Sequence, residues 1–168
     1  MKLRPATKSD ASSLAALSTE VWLGTYIKRG INARFADYAL TEFTTEKLED
    51  TLADPDEVIT VCEHEDGIIG FVRVSHGNAA PANGAADTEI STLYVQPRHH
   101  GQGVGAALLA HAFQQCRNHA VKKVWLATNS DNTPAIAFYL AQGFQKIGQT
   151  RFQIGDESYP NDVFTYQL

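Results

Sequence analysis

Sulfur is scarce in this chain, with two cysteines and one methionine among 168 residues. Cys62 and Cys116 fit neither a zinc-ligand spacing nor a Cys-x-x-Cys pair, so they read as buried reduced thiols in a reducing cytoplasm. Positive charge is also short: 14 Lys and Arg stand against 19 Asp and Glu, a net of −5. That balance gives no general attraction to nucleic-acid phosphates and is mildly compatible with a cationic substrate. No apolar run approaches the roughly 20 residues that span a bilayer, so no membrane partner is expected. Met1 leads straight into Lys2-Leu3-Arg4-Pro5 with no apolar stretch behind it, so no signal peptide is expected. What remains is 43% hydrophobic and 20% charged, which argues against disorder, collagen and a coiled coil and suits one globular domain over residues 1–168.

The pattern along the chain alternates between the two periods. Leu3 to Ala6 reads as a short strand. Asp10 can cap a helix through Leu14, Leu17, Val21 and Trp22, which share one face. Residues 24–38 are aromatic and basic, with Gly30 and Asn32 as breakers, and read as a loop or short helix. Thr44 or Thr45 caps a helix through Leu48 and Leu52 that stops before Asp54-Pro55. Val58–Cys62 and Ile68–Val74 are strands joined by an Asp66-Gly67 turn. Residues 77–87 form a loop rich in Ala, Asn, Gly and Pro. A strand over 89–95, a helix opened by Gly101 to Gly105 and a strand over 121–127 follow. Thr133 caps the next helix, with Pro134 in its first turn, and Gly143 ends it with Phe144 as the apolar contact of a Schellman stop. Two closing strands cover 144–148 and 162–167, with 151–154 as a further strand fragment. The order predicts an α/β (α+β) domain: a single mixed, mostly antiparallel sheet of about seven strands and about four helices.

The segment from Glu89 to Leu109 carries the most chemistry. A strand ending in Leu93-Tyr94-Val95 is followed by His100-Gly101-Gln102-Gly103-Val104-Gly105-Ala106 and a helix. Glycines let backbone approach a ligand closely, and a helix N-terminus offers free N–H groups and partial positive charge. Together they suit a phosphate or pyrophosphate; a turn that only packs helix on strand is the plain alternative. A P-loop is excluded because Gly-Lys-Ser/Thr is absent. Gly101, Gly103 and Ala106 meet the dinucleotide fingerprint formally, but they lie deep in the chain and Asp131 is the nearest acidic candidate. In the preceding strand, Ser91-Thr92 is polar and Leu93-Tyr94-Val95 apolar, which predicts a bulge or a change of burial.

These residues resemble the GCN5-related N-acetyltransferases (GNAT). The resemblance rests on Leu3-Arg4-Pro5-Ala6-Thr7, on Leu-Tyr-Val ahead of the glycine run, and on Asn132 with Ala135-Ile136-Ala137-Phe138-Tyr139 and Gln142-Gly143-Phe144. It spans nearly the whole chain. His100 stands where the family usually has Arg or Gln. Val21-Trp22-Leu23-Gly24-Thr25-Tyr26 and Phe152-Gln153-Ile154-Gly155-Asp156 leading to Asp162 look like the bacterial polyamine (PaiA-type) branch.

The resemblance implies acetyl transfer from acetyl-CoA to a primary amine without a covalent enzyme intermediate. A small-molecule acceptor, a polyamine among the candidates, is the first expectation; a protein or peptide amine, or a CoA-binding module without turnover, are the alternatives. It implies Leu93, Tyr94 and Val95 backbone along the pantetheine, and His100 and Gly101 to Ala106 at the pyrophosphate. Asn132 is assigned to the pantetheine arm, simple turn chemistry being its alternative. Tyr139 is expected beside the sulfur as general acid. A primary amine is only about 0.04% neutral at pH 7, and deprotonating it costs roughly 4.6 kcal/mol. Glu89 is the candidate base, acting through water, and His76 is a second candidate. Trp22, Tyr26, Phe35 and Tyr38 are expected on the acceptor side, ordinary core or lid roles being the alternative. No metal is expected, since His99 and His100 lack convergent partners. A homodimer is common in the family, though no motif here carries it.

Overall fold

The computed structural model describes residues 1–65, 67–82 and 86–168. Asp66 of the expected Asp66-Gly67 turn lies outside them, as do residues 83–85 of the expected loop. Seven strands run in the order β1-β2-β3-β4-β5-β7-β6. They are β1 (Lys2–Pro5), β2 (Glu57–His64), β3 (Gly67–His76), β4 (Thr88–Val95), β5 (Lys123–Asn129), β6 (Gln145–Ile154) and β7 (Glu157–Gln167). Among the described residues five α-helices accompany them: α1 (Ala11–Tyr26), α2 (Ala33–Glu42), α3 (Thr45–Ala53), α4 (Val104–Asn118) and α5 (Thr133–Ala141). β1–β2, β5–β7 and β6–β7 are antiparallel, and β4–β5 is parallel.

The architecture is the expected mixed α/β one, and α2 forms in the stretch that reads as a loop or short helix. Asn32, read from sequence as a breaker, caps α2: its side chain accepts the Phe35 N–H at 3.0 Å. Asp10, expected to cap α1, does not. Its carboxylate takes a bidentate Arg4 at 2.7 and 2.9 Å and the Thr7 N–H at 2.7 Å. A charged fork outcompetes a single cap bond. Thr133 is likewise displaced as cap by Asn132, whose Oδ1 accepts the Ala135 N–H at 3.3 Å. The closing strands are longer than expected and form one hairpin around Gly155, which has φ +57°. Pro160 hides this continuity in the sequence, yet it pairs opposite Arg151.

The chain divides into two compact units. The first is Met1–Arg73 with Thr92–Ala112, the second Val74–Ser91 with Phe113–Leu168. The first holds a core of Leu14, Leu17, Val61 and Phe71. The second is built on aromatics: Phe113 stacks on Tyr166 at 4.4 Å, and Phe144 lies against both. Cys62 and Cys116 are buried free thiols, both pushed up by desolvation. Among the described residues no helix is long and apolar enough to cross a membrane.

Candidate active site

In the first unit the site residues are consecutive in the chain. Beyond Ile90, β4 is half-buried throughout from Ser91 to Val95, so burial changes after Ile90 and not at the switch from Thr92 to Leu93. The Gln96 N–H donates to the Ile69 carbonyl at 2.9 Å, which seats the strand end on β3. Gly70 makes that seat possible. A Cβ there would stand 2.8 Å from the Tyr94 carbonyl oxygen and 3.3 Å from the Val95 Cα. The chain then turns through residues 97–99 into Gly101 and Gly103, both left-handed at φ +75° and +80°. The Gly103 carbonyl accepts the Ala107 N–H at 3.0 Å, so the N–H groups of Val104, Gly105 and Ala106 open α4 without intrahelical acceptors. Val104, Leu108 and Leu109 are buried and hold the helix in place.

His100 closes this turn. Its Nε2 lies 2.9 Å from the Val95 carbonyl oxygen, and its N–H donates to the Pro97 carbonyl at 3.1 Å. The Gln102 amide similarly donates to the Arg98 carbonyl at 3.1 Å. The His100 side chain therefore ties the strand end to the glycine turn, and Gln102 braces the turn itself. The aromatic residues expected on the acceptor side also assemble in this unit. Trp22 is sandwiched between Tyr26 and Tyr38 at 4.6 and 4.7 Å, with Phe35 edge-on at 5.9 Å. Trp22 is buried and serves as the packed centre, while Tyr26, Phe35 and Tyr38 are half-buried. Burial, with Glu42 beside it, pushes the Tyr38 hydroxyl up to about 12.

The second unit carries Glu89, Asn132 and Tyr139. Tyr139 is set by the stop that the sequence predicted. Gly143 has φ +96°, its N–H donates to the Leu140 carbonyl at 3.0 Å, and the Phe144 N–H donates to the Tyr139 carbonyl at 3.1 Å. This is a Schellman motif, with Phe144 edge-on to the Tyr139 ring at 5.7 Å. The ring also meets Phe164 at 6.4 Å. Among the described residues no hydrogen bond reaches the Tyr139 hydroxyl. Burial pushes that hydroxyl up to about 12, so it is protonated at neutral pH.

Glu89 is half-buried and forms the parallel pair with Trp125 of β5. Its carboxylate accepts from the Asn78 side-chain amide. Phe164, under the Tyr139 ring, pairs with Leu126, the residue after Trp125. Successive residues of a strand face opposite sides. Glu89 therefore belongs to one face of the sheet and Tyr139 to the other, and no hydrogen bond joins them. Asn78 and Gly70 escaped the sequence reading because each acts through a contact between strands that no local pattern encodes. Among the described residues no group of three or more His, Cys, Asp and Glu side chains is placed to hold a metal ion.

A strand, a glycine turn on a helix N-terminus, and a protonated tyrosine at a helix end fit a known pattern: residues 25–144 match the acetyltransferase (GNAT) family. The chain belongs to the GNAT family. As a member it is an N-acetyltransferase, with acetyl-CoA as acetyl donor. This GNAT chain is 26% identical over 160 residues to an uncharacterized N-acetyltransferase of Mycobacterium tuberculosis, covering 95% of this chain and 99% of that one. Its fold matches that of the PaiA N-acetyltransferase of Thermoplasma acidophilum, a structure in complex with coenzyme A, with TM-score 0.81 and 17% identity over 99% of this chain and 98% of that one. It also matches the ribosomal-protein-alanine N-acetyltransferase of Brucella melitensis, with TM-score 0.69 and 20% identity over the whole of both chains.

Proposed function

We propose that residues 1–168 act as one cytoplasmic catalytic unit that transfers acetyl from acetyl-CoA directly to the primary amine of a small molecule, of the polyamine class. The observation that carries this reading is a half-buried carboxylate, Glu89 on β4, together with a protonated phenol, Tyr139 on α5, whose hydroxyl has no hydrogen-bond partner among the described residues. Direct transfer needs one proton acceptor and one proton donor. The amine loses a proton where it attacks, and the thiolate gains one where it departs.

In this reading the backbone of Leu93, Tyr94 and Val95 lies along the pantetheine as an added strand would. The N–H groups from Gly101 to Ala106 take the pyrophosphate. His100 and Gln102 support that cradle from within the turn. Asn132 caps α5 with its oxygen, so its amide NH₂ is the group offered to a pantetheine carbonyl. Glu89 receives the amine proton through water, the amine attacks the thioester carbon, and the tetrahedral oxyanion collapses with loss of the CoA thiolate. Tyr139 donates to that sulfur and is reprotonated from solvent. The net charge of −5 favours a cationic acceptor. Tyr26, Phe35 and Tyr38 supply aromatic faces that attract ammonium groups.

The test is a panel of spermidine, single amino acids, N-terminal and lysine peptides, and aminoglycosides, each with acetyl-CoA and read by free-thiol release. Fastest release with spermidine is expected. Release with peptides alone would replace the small-molecule acceptor with a protein amine. CoA binding without release from any amine would overturn the catalytic reading.

A further inference from the structure

The loop after β3 reaches both residues of the Glu89–Trp125 pair that joins β4 to β5. β3 ends at His76, and Gly77 follows in the left-handed region at φ +71°. The next residue, Asn78, then meets two partners. Its backbone carbonyl accepts the Trp125 indole N–H at 2.7 Å, and its side-chain amide donates to the Glu89 carboxylate. Trp125 is only 6% exposed and stands opposite Glu89 in the ladder. A buried indole N–H needs an acceptor, so the contact with Trp125 fixes where the Asn78 backbone sits. A carboxylate only accepts, so the nitrogen end of the Asn78 amide must face it.

We propose that Asn78, anchored by Trp125, is a positioning residue that holds the Glu89 carboxylate for proton abstraction; the inference rests on Glu89 being the base. Glutamate is a flexible side chain, and a half-buried one on a strand has several rotamers open to it. A fixed donor selects one of them. Nothing in the family pattern Asn-x-x-Ala-x-x-Phe-Tyr or in the glycine run reaches this loop. The device belongs to the rung shared by β4 and β5.

The experiment is a double-mutant cycle, run with whichever panel amine gives the fastest free-thiol release. Glu89→Gln, Asn78→Ala, Asn78→Leu and the two double variants are compared in kcat and in KM for acetyl-CoA. Asn78 is an exposed turn residue, and Asn78→Leu keeps its approximate volume without the donor. General-base catalysis contributes about 10²–10⁴-fold, so losing the orientation of the base is expected to lower kcat about 10-fold. KM for acetyl-CoA should stay within about two-fold, because the donor touches the base and not the cofactor segment. On the Glu89→Gln background, either Asn78 change should have no further effect. If Glu89→Gln lowers kcat but the Asn78 variants do not, or if their losses multiply, Asn78 has no positioning role and Glu89 remains the base. If Glu89→Gln leaves kcat unchanged, or no amine in the panel reacts, the base reading fails and the positioning role falls with it.

Discussion

Tyr139 combines two properties that pull in different directions. Its ring is packed among Phe138, Phe144 and Phe164, while its hydroxyl has no hydrogen-bond partner among the described residues. Packing fixes the oxygen in place, and burial keeps its proton on up to about 12. A group in that state can donate to a departing thiolate without titrating near neutrality. Tyr139→Phe keeps the packing and removes only the donor. It should lower kcat about 10²-fold, as loss of a general acid does, with CoA affinity unchanged by calorimetry. The same residue has an alkaline signature. The folded state holds the proton to about 12 and the unfolded chain releases it near the ordinary value of 10. Stability from this source is therefore complete below pH 10 and is lost as pH rises towards 12. Tyr139→Phe should unfold less readily over that window when followed by circular dichroism against pH. Unchanged kcat would remove Tyr139 from the chemistry, whatever the alkaline curve showed. The place of Tyr139 near the end of a helix was legible in sequence because a helix start, a glycine stop and an aromatic pair frame it locally. Asn78 was not, since nothing in its own neighbourhood announces Trp125 or Glu89.

At the scale of elements, two glycines act on the β4–turn–α4 segment for different physical reasons. Gly70 is needed for space: a methyl there meets backbone, the Tyr94 carbonyl at 2.8 Å, and backbone cannot swing aside as a side chain can. Gly70→Ala should cost roughly 1–3 kcal/mol, the range for overpacking, and raise KM for acetyl-CoA by displacing β4 at Tyr94 and Val95. Thermal unfolding and saturation kinetics read the two effects separately. Gly101 is needed for conformation. A Cβ there meets nothing within 4 Å, but φ is +75°. Gly101→Ala should cost only about 1–2 kcal/mol of strain and weaken CoA binding by calorimetry, because the turn relaxes away from the left-handed region. A fully retained CoA affinity in Gly101→Ala would take the pyrophosphate away from this turn. The glycine turn was readable from residue order alone, as were the Gly143 stop and the cap at Thr44. Elements were misread where tertiary partners overrode local signals. Asn32 looked like a break and is a cap, while Asp10 looked like a cap and is an ion-pair partner. The last two strands read as separate short pieces and form one long hairpin.

For the whole molecule, the excess of carboxylates raises the question of acid stability. In each of the two units a buried aspartate is paired with a cation. In the second, burial alone would raise Asp162, but Lys146 at 2.8 Å, Gln149 and Ser130 outweigh it and hold the group below the usual range. In the first, the Arg4 fork and the Thr7 N–H bring Asp10 down to about 2 from an ordinary 3.8, and Arg4 also pairs with Glu63 at 2.6 Å. The sign follows from which state binds the proton more tightly. The unfolded chain protonates Asp10 near 3.8 and the folded chain only near 2, so the stabilisation is complete above about 4 and is lost as pH falls towards 2. Its size is about 2 kcal/mol, discounted little because the Asp10 side chain is 11% exposed. Asp10→Asn keeps the shape and removes the charge. It should lower stability by about that amount at pH 7 in a urea titration and flatten the fall in stability between pH 4 and pH 2. The opposite pattern, full stability at pH 7 with an unchanged acid slope, would mean that the Arg4–Asp10 contact does not hold the start of α1 in place. Catalysis separates this prediction from the others, since Asp10 and Arg4 belong to neither the glycine turn nor the Glu89–Asn78–Trp125 rung. Asp10→Asn should therefore leave kcat and KM for acetyl-CoA unchanged wherever the protein is folded.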